Sequence, residues 1–516
     1  MLKSFPRFEI AFYFLTLISV LTAIIIGGPV IQMRFGHDVI CVLDGAWRIQ
    51  HGQIPHTDFS SILGCGYLGQ QYLFLQLFHY NLFALSASSI TLTLIALAIF
   101  FSLIYTSPSD DNYGWVLRIY TFLLILSLGL GQYHMGQGFK ALTYANLYNR
   151  YSFLILLICF LLLNYLSSKS IKPKQLKFNI YAVVIALLLN YLCFVKLTYF
   201  LVALAVFTAY MLFSYFEPKK YFITLLYYVI IFGLVLLIFK VNALDMLNDY
   251  RAISKVHTNT FFDPAFLKGK FYHKYNILLL AGGIFLVGQL IAHKASLKII
   301  SLIVLLGFFS IAFHVTNYGD SDIVLLTFIP CFFVFAPLQP YKQLLSYKLL
   351  LILGCIFIAE NVLSVAYTFI SKKASYSQIS GNGVTGFYVH QADGSCNANY
   401  ELRINNGAAL INRYKKPNDQ VFCYDFDNPF PVLTNTQAPK NTLLVWQYKM
   451  TFSETIHPLA LTMFNNVSLL LIPKCADPES SLYMQRIYKD VVGIQFVKVG
   501  ENADWTLLRK KSSLLL

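Results

Sequence analysis

Charge is scarce in this chain: Asp, Glu, Lys and Arg make up 12% of its 516 residues, against 57% hydrophobic. A compact soluble fold of that length needs far more polar surface, so lipid must be the solvent for most of it. Zinc-type CxxC pairs are absent, which leaves no case for a structural zinc module. No internal repeat is evident, whereas transporters tend to show paired repeats and interrupted helices. No convincing nucleotide-binding motif occurs, and the loops on the basic side are too short to build a sugar-nucleotide site. The net charge of +15 comes from Lys and Arg scattered through short loops between apolar runs; membrane topology explains them better than nucleic acid does.

What is present is a series of apolar runs broken by charge. About eleven spans are predicted, near 9–31, 82–106, 115–131, 151–167, 178–195, 198–216, 221–240, 276–293, 299–316, 323–337 and 349–370. The first run, Ile10 to Ile31, can cross a hydrocarbon core of about 30 Å and is flanked by Lys3 and Arg7. It is too long for a signal-peptide core, and no small-x-small cleavage site follows, so it reads as an uncleaved helix. With the N-terminus cytoplasmic, the loops Ser107–Gly114, Ser168–Lys177, Glu217–Lys220, His293–Lys298 and Leu338–Lys348 fall inside. They are short and mostly basic, as the positive-inside rule requires; only the Asp110–Asp111 loop dissents. The opposite face then holds the longer segments: 32–81, 132–150, 241–275, 317–322 and everything after Ser371.

The fold class expected is therefore mainly α: a polytopic transmembrane helix bundle, residues 1–370, whose first outer loop is 32–81. A small α/β extracytoplasmic C-terminal domain, 371–516, follows, rich in Asn, Asp, Gln and Ser and without a spanning run. In it 420–426 and 467–472 read as buried strands, 479–491 as a helix capped near Pro478, and 494–499 and 505–509 as closing strands. Cys159, Cys193, Cys331 and Cys355 lie inside apolar runs and act as small hydrophobes. Cys41 and Cys65, and separately Cys396, Cys423 and Cys475, would face an oxidising compartment. That leaves one disulfide open in each region, with at least one tail thiol unpaired.

The segment from Gly36 to Ile49 has helical spacing without membrane length, and should lie along the membrane surface. A turn through Gly52 and Pro55 and a Gly-rich stretch, Gly64-Cys65-Gly66-Tyr67-Leu68-Gly69, follow, so two short surface helices joined by a turn are the simplest reading. In Asp38, Ala46, Arg48, Gly52, Pro55, Asp58 and Phe59 this loop resembles the GT-C superfamily of membrane glycosyltransferases. Those proteins draw sugars from polyprenyl-phosphate donors on the extracytoplasmic side. The matching layout is an acid just after the first span, an Ala-x-Arg helix, then Gly-x-x-Pro-[Tyr/His]-x-Asp-Phe. Val39 stands where many relatives carry a second acid, and His37 precedes, a departure that weakens the case for a two-acid metal site. Leu147-Tyr148-Asn149-Arg150 and the tail run from Tyr424 to Phe430 look like elements of bacterial members with a soluble C-terminal domain.

The resemblance implies an inverting glycosyltransferase of the bacterial inner (plasma) membrane. It would take a polyprenyl-phosphate sugar donor and a glycolipid, glycan or protein acceptor, with membrane lipid as surroundings and no nucleic acid. No cofactor is certain, and a divalent metal stays open. Such a transfer needs a base for the acceptor hydroxyl and cations for the departing phosphate. Asp38, at a helix start whose dipole favours its ionised form, is the candidate base; a plain N-cap is the alternative. Asp44 lies about 120° round the helix from Asp38 and is secondary. Asp58 could bind acceptor, a metal or Arg48, or simply cap its turn. His37 and His56 could donate to sugar or phosphate, or be exposed loop residues. Lys140, Arg150 and Lys196 sit at outer span ends where a phosphate would lie, with snorkelling as the alternative; Arg150 has the better case, since it follows Tyr148-Asn149 beside a span and can clamp phosphate with two donors. A polysaccharide polymerase or ligase, and a transporter or flippase of lipid-linked sugars, are the competing functions.

Overall fold

A computed structural model describes residues 7–27, 31–32, 36–106, 114–132, 140, 142–144, 146–167, 175–214, 218–257, 276–293, 297–316, 324–335, 344–370, 377–389, 400–475 and 478–511. The protein is mainly helical. In chain order its first ten helices are α1 (Arg7–Gly27), α2 (Gly36–Gln50), α3 (Cys65–Leu77), α4 (Phe83–Thr106), α5 (Gly114–Leu130), α6 (Leu147–Ser167), α7 (Gln175–Val195), α8 (Leu197–Ser214), α9 (Pro218–Phe239) and α10 (Ala243–His257).

Among the described residues six helical stretches are long and apolar enough to cross a membrane: Phe8–Gly27, Phe83–Thr106, Leu147–Leu166, Phe178–Val195, Lys219–Phe239 and Leu345–Thr368. Shorter apolar helices occupy Gly114–Leu130, Leu197–Leu212, Asn276–Ala292 and Ile299–Ala312. The span expected near 323–337 is different. A five-residue 3-10 turn, Val324–Phe328, runs into a four-residue helix, Ile329–Phe332, that carries Pro330 in its first turn. Together they reach on the order of 15 Å, too short for a crossing.

Burial sorts the spans. The Leu147–Leu166 window of α6 is 94% buried and forms the bundle centre, whereas that of α9 is 6% buried and faces lipid on most sides. At the opposite end of α1 from α2, Arg118 of α5 donates two hydrogen bonds to Glu9, at 2.8 and 2.9 Å, and Tyr13 adds a third at 2.6 Å. An ionisable residue inside a span is expensive unless paired, and this pairing ties α1 to α5.

The C-terminal part is built on a four-stranded sheet ordered β5-β7-β9-β8, from β5 (Val421–Cys423), β7 (Leu469–Pro473), β8 (Phe496–Glu501) and β9 (Trp505–Lys510). β5 and β7 run parallel; β9 is antiparallel to both of its neighbours. Alternation along these strands serves two cores. Val421, Cys423, Leu469, Leu471, Trp505 and Leu507 join an apolar cluster that runs unbroken into the helix bundle. Phe422, Leu470 and Leu508 face a second cluster with Trp446, Phe464 and Tyr488, covered by the helix Pro478–Gln495.

Two small sheets join this part to the start of the chain. β1 (Ile31–Gln32) pairs in parallel with β4 (Val384–Val389), which makes an antiparallel hairpin with β3 (Ser377–Gly381). The hairpin turns on Asn382-Gly383, both with positive φ (44° and 82°), the type I′ geometry that Asn-Gly favours. β2 (Phe59–Ser60) pairs in parallel with β6 (Thr442–Leu443). α2 consequently does not lie on a surface: every residue from Val39 to Arg48 is buried. The helix expected to lie along the membrane surface is thus packed under protein, between α3 and the tail.

Candidate functional site

Arg48 and Asp44, one turn apart on α2, form a buried pair, Nε to Oδ2 2.9 Å. The same guanidinium donates through Nη1 to the Pro439 carbonyl at 2.8 Å and the Thr442 hydroxyl at 3.1 Å, and it lies over the Phe59 ring. Trp47 Nε1 donates to the Thr436 carbonyl (2.8 Å), and Gln53 to that of Ala438 (2.6 Å). Asp58 closes its turn by accepting from the Ile54 amide at 2.9 Å and pairs with Lys440 of the tail at 2.9 Å. Arg48 and Asp58 are thus occupied in clamping the tail onto the first loop.

The clamp brings two distant sequence motifs together. The tail segment from Tyr424 to Asn428 leaves the carboxyl end of β5 beside that of its parallel neighbour β7, the edge where open α/β sheets present ligand-binding loops. It lands on the N-terminal turn of α2, where the His37 ring meets the Phe426 ring at 4.4 Å and Tyr400 packs against Gly36. Asp425 pairs with Arg403 at 3.0 Å. Asp427, 2% exposed, accepts a bond of 3.3 Å from the Tyr400 hydroxyl and shares no ion pair among the described residues. Burial, reinforced by Asp425, pushes its carboxyl well above the usual range. Burial also drives up the Cys41 thiol, with the charges of Asp427, Asp38 and Asp44 adding to it.

Asp38 keeps 29% of its side chain exposed, and His37 Nε2 stands 3.7 Å from Oδ1. Burial raises its carboxyl above the ordinary value, and His37 opposes that shift. The sequence expectation that Asp38 is held in its ionised form meets the opposite direction here: burial favours the protonated carboxyl.

Behind Asp38 stands Tyr67, whose phenol burial pushes well above its usual range, with Tyr151, Tyr148, Tyr191 and Asp38 contributing. The Tyr67 and Tyr148 rings are 5.8 Å apart, and Lys196 Nζ lies 4.9 Å over Tyr148 and 2.9 Å from Asn149 Oδ1. The Gly-rich stretch makes this approach feasible. A Cβ on Gly64 would fall 2.1 Å from the Phe194 carbonyl oxygen, and one on Gly69 would strike Phe239. α3 can therefore sit directly on the ends of α7 and α9. Arg150 is buried and donates to the Gly131 carbonyl. Lys140 is exposed, with its immediate neighbours outside the described residues.

Sequence reasoning passed over α10. Its Asp249 receives hydrogen bonds from His56 Nδ1 (2.7 Å), the Ser61 amide (2.9 Å) and the Ser60 hydroxyl, so it pins the turn that carries Asp58. The helical period of Ala243–His257, opened by Asn242 capping the Leu244 amide, was the available signal.

Cys475 is disulfide-bonded, and Cys423 is free. Cys41 and Cys65 are also free and buried, so the first-loop disulfide left open by sequence is not formed. Among the described residues no group of three or more His, Cys, Asp or Glu side chains is placed to hold a metal ion. No family model, curated protein or solved structure matches the chain.

Proposed function

We propose that the protein is a membrane glycosyltransferase of GT-C type. It would transfer a sugar from a polyprenyl-phosphate donor to a glycolipid, glycan or protein acceptor on the extracytoplasmic face. The topology that goes with this reading puts the N-terminus in the cytoplasm and the tail outside. The observation that carries it is the contact of His37, the neighbour of Asp38 on the first loop, with Phe426 of the tail segment Tyr424–Asn428, on a tail tied to that loop by Arg48 and Asp58.

In this reading Asp38 takes the proton of the acceptor hydroxyl as its oxygen attacks the anomeric carbon from the face opposite the phosphate. The anomeric C–O bond breaks with inversion, and polyprenyl phosphate leaves with the bonding pair. A carboxylate whose proton affinity is raised by burial is a better base near neutral pH than an exposed one. Lys196, which lies over Tyr148 beside Tyr67, is assigned to the departing phosphate in this reading. Arg150, committed to Gly131, orients the start of α6.

Mass spectrometry of envelope glycans, glycolipids and glycoproteins from a deletion strain tests this. Loss of one sugar from one class of acceptor is expected. An unchanged glycan profile would overturn the reading and favour a flippase or a scaffold.

A further inference from the structure

α10 follows the lipid-facing span α9 across a short turn, but it is not a span. It holds 15 residues and both acidic and basic side chains. Its two long faces differ. One carries Asp245 and Asp249, which reach the first loop at Thr57, His56 and Ser61, with Val256 buried on the same side. The other carries Leu244, Leu247, Arg251 and Lys255 at i, i+3, i+7 and i+11, all exposed.

Leu244 is 67% exposed, and at the end of α9, across the turn that holds exposed Lys240 and Asn242, Leu237 and Ile238 are 75% and 74% exposed. Exposed apolar side chains on a bilayer-crossing helix face acyl chains. Where they are followed by a helix with cations one turn further along, that helix sits at the boundary between chains and headgroups. Arg251 and Lys255, both exposed, then stand at headgroup depth.

We infer that the Leu244–Lys255 face of α10 is a docking surface for anionic phospholipid headgroups, on the side of the bundle that bears the first loop. Leucine pair and cation pair fit the two layers of one leaflet edge. Asp249 links this surface to the loop through Ser61 and His56, so lipid engagement holds the turn bearing Asp58 in place. The inference rests on membrane embedding and stands apart from the chemistry proposed for Asp38.

The test uses full-length protein in nanodiscs of phosphatidylcholine alone or mixed with phosphatidylglycerol, with native mass spectrometry counting retained phosphatidylglycerol. The parent should retain it selectively, and Arg251→Gln/Lys255→Gln should weaken retention roughly 30-fold, about 2 kcal/mol for two surface cations. Exchange of the Ser61 amide checks that the doubly substituted protein keeps its fold. Arg251→Lys/Lys255→Arg should retain the lipid. No preference for phosphatidylglycerol in the parent, or equal retention by the Gln variant, overturns the inference. So does displacement of the lipid by inorganic phosphate, which would make the site one for a free anion.

Discussion

Arg48→Met should release the tail from the first loop. The guanidinium is 1% exposed and makes one ionic and two neutral contacts shorter than 3.2 Å, two of them to the tail. Removing it leaves Asp44 buried without its counter-ion, a change that costs about 3–5 kcal/mol. The Pro439 carbonyl and Thr442 hydroxyl also lose a donor, at roughly 1 kcal/mol each. Arg48→Met combined with Asp44→Leu removes the orphaned charge and should cost only about 2 kcal/mol, mainly those two lost bonds. The readout is hydrogen exchange at Leu444 and Asn441, whose amides donate to the Ser60 and Asp58 carbonyls across the junction. Their exchange should accelerate at least a hundredfold or so in the single variant and far less in the double one. A single substitution costing less than about 1 kcal/mol, or a double cost equal to the sum of both singles, would refute the reasoning.

Asp427→Asn should stabilise the docked tail at neutral pH. Its folded carboxyl is raised by burial, so the native state binds the proton more tightly than the unfolded one; stability is then lost as pH climbs from the ordinary carboxylate value toward the folded one. Thermal unfolding against pH should show that fall in the parent and a flatter profile in the variant; parallel profiles would remove Asp427 as its source. Glu9→Gln should destabilise the bundle by about 3–5 kcal/mol by stranding Arg118, whereas Glu9→Leu with Arg118→Leu should cost much less. Unfolding in detergent measures both, and equal losses would contradict the pairing argument. Lys196→Met should raise KM for a polyprenyl-phosphate donor about tenfold if the ammonium meets the phosphate, an effect of about 1.4 kcal/mol. Unchanged donor kinetics would assign Lys196 to its Asn149 and Tyr148 contacts alone.

The membrane character and the order of helices were legible because hydropathy is a local signal: runs such as those of α6 and α9 need no partner to be read. The tail strands were legible for the same reason, since the Val467–Ile472 run is apolar over strand length and the Trp505–Arg509 run alternates, with Trp505 and Leu507 buried. The Asn382-Gly383 hairpin was readable by its turn chemistry and went unread, because β3 and β4 are short and polar on one face. What sequence could not supply was the junction. Nothing local to Arg48 shows that its partners lie at Pro439 and Thr442, nearly four hundred residues on. Nothing local to Asp38 shows that Phe426 and Asp427 cover its helix turn. The cover over α2 was hidden on that ground: its apolar and polar sides were both visible, but the second was destined for protein. Pro330 explains the missed break at 323–337, where apolar composition outweighed a helix-disrupting residue in the reading.

The most direct test of the account is sugar transfer by purified full-length protein in nanodiscs, supplied with polyprenyl-phosphate sugars and acceptors drawn from its own membranes. The parent should release polyprenyl phosphate, and Asp38→Asn, with an unchanged unfolding temperature, should slow that release by about 10²–10⁴-fold. No release by the parent, or an undiminished rate in the folded Asp38→Asn protein, would contradict it.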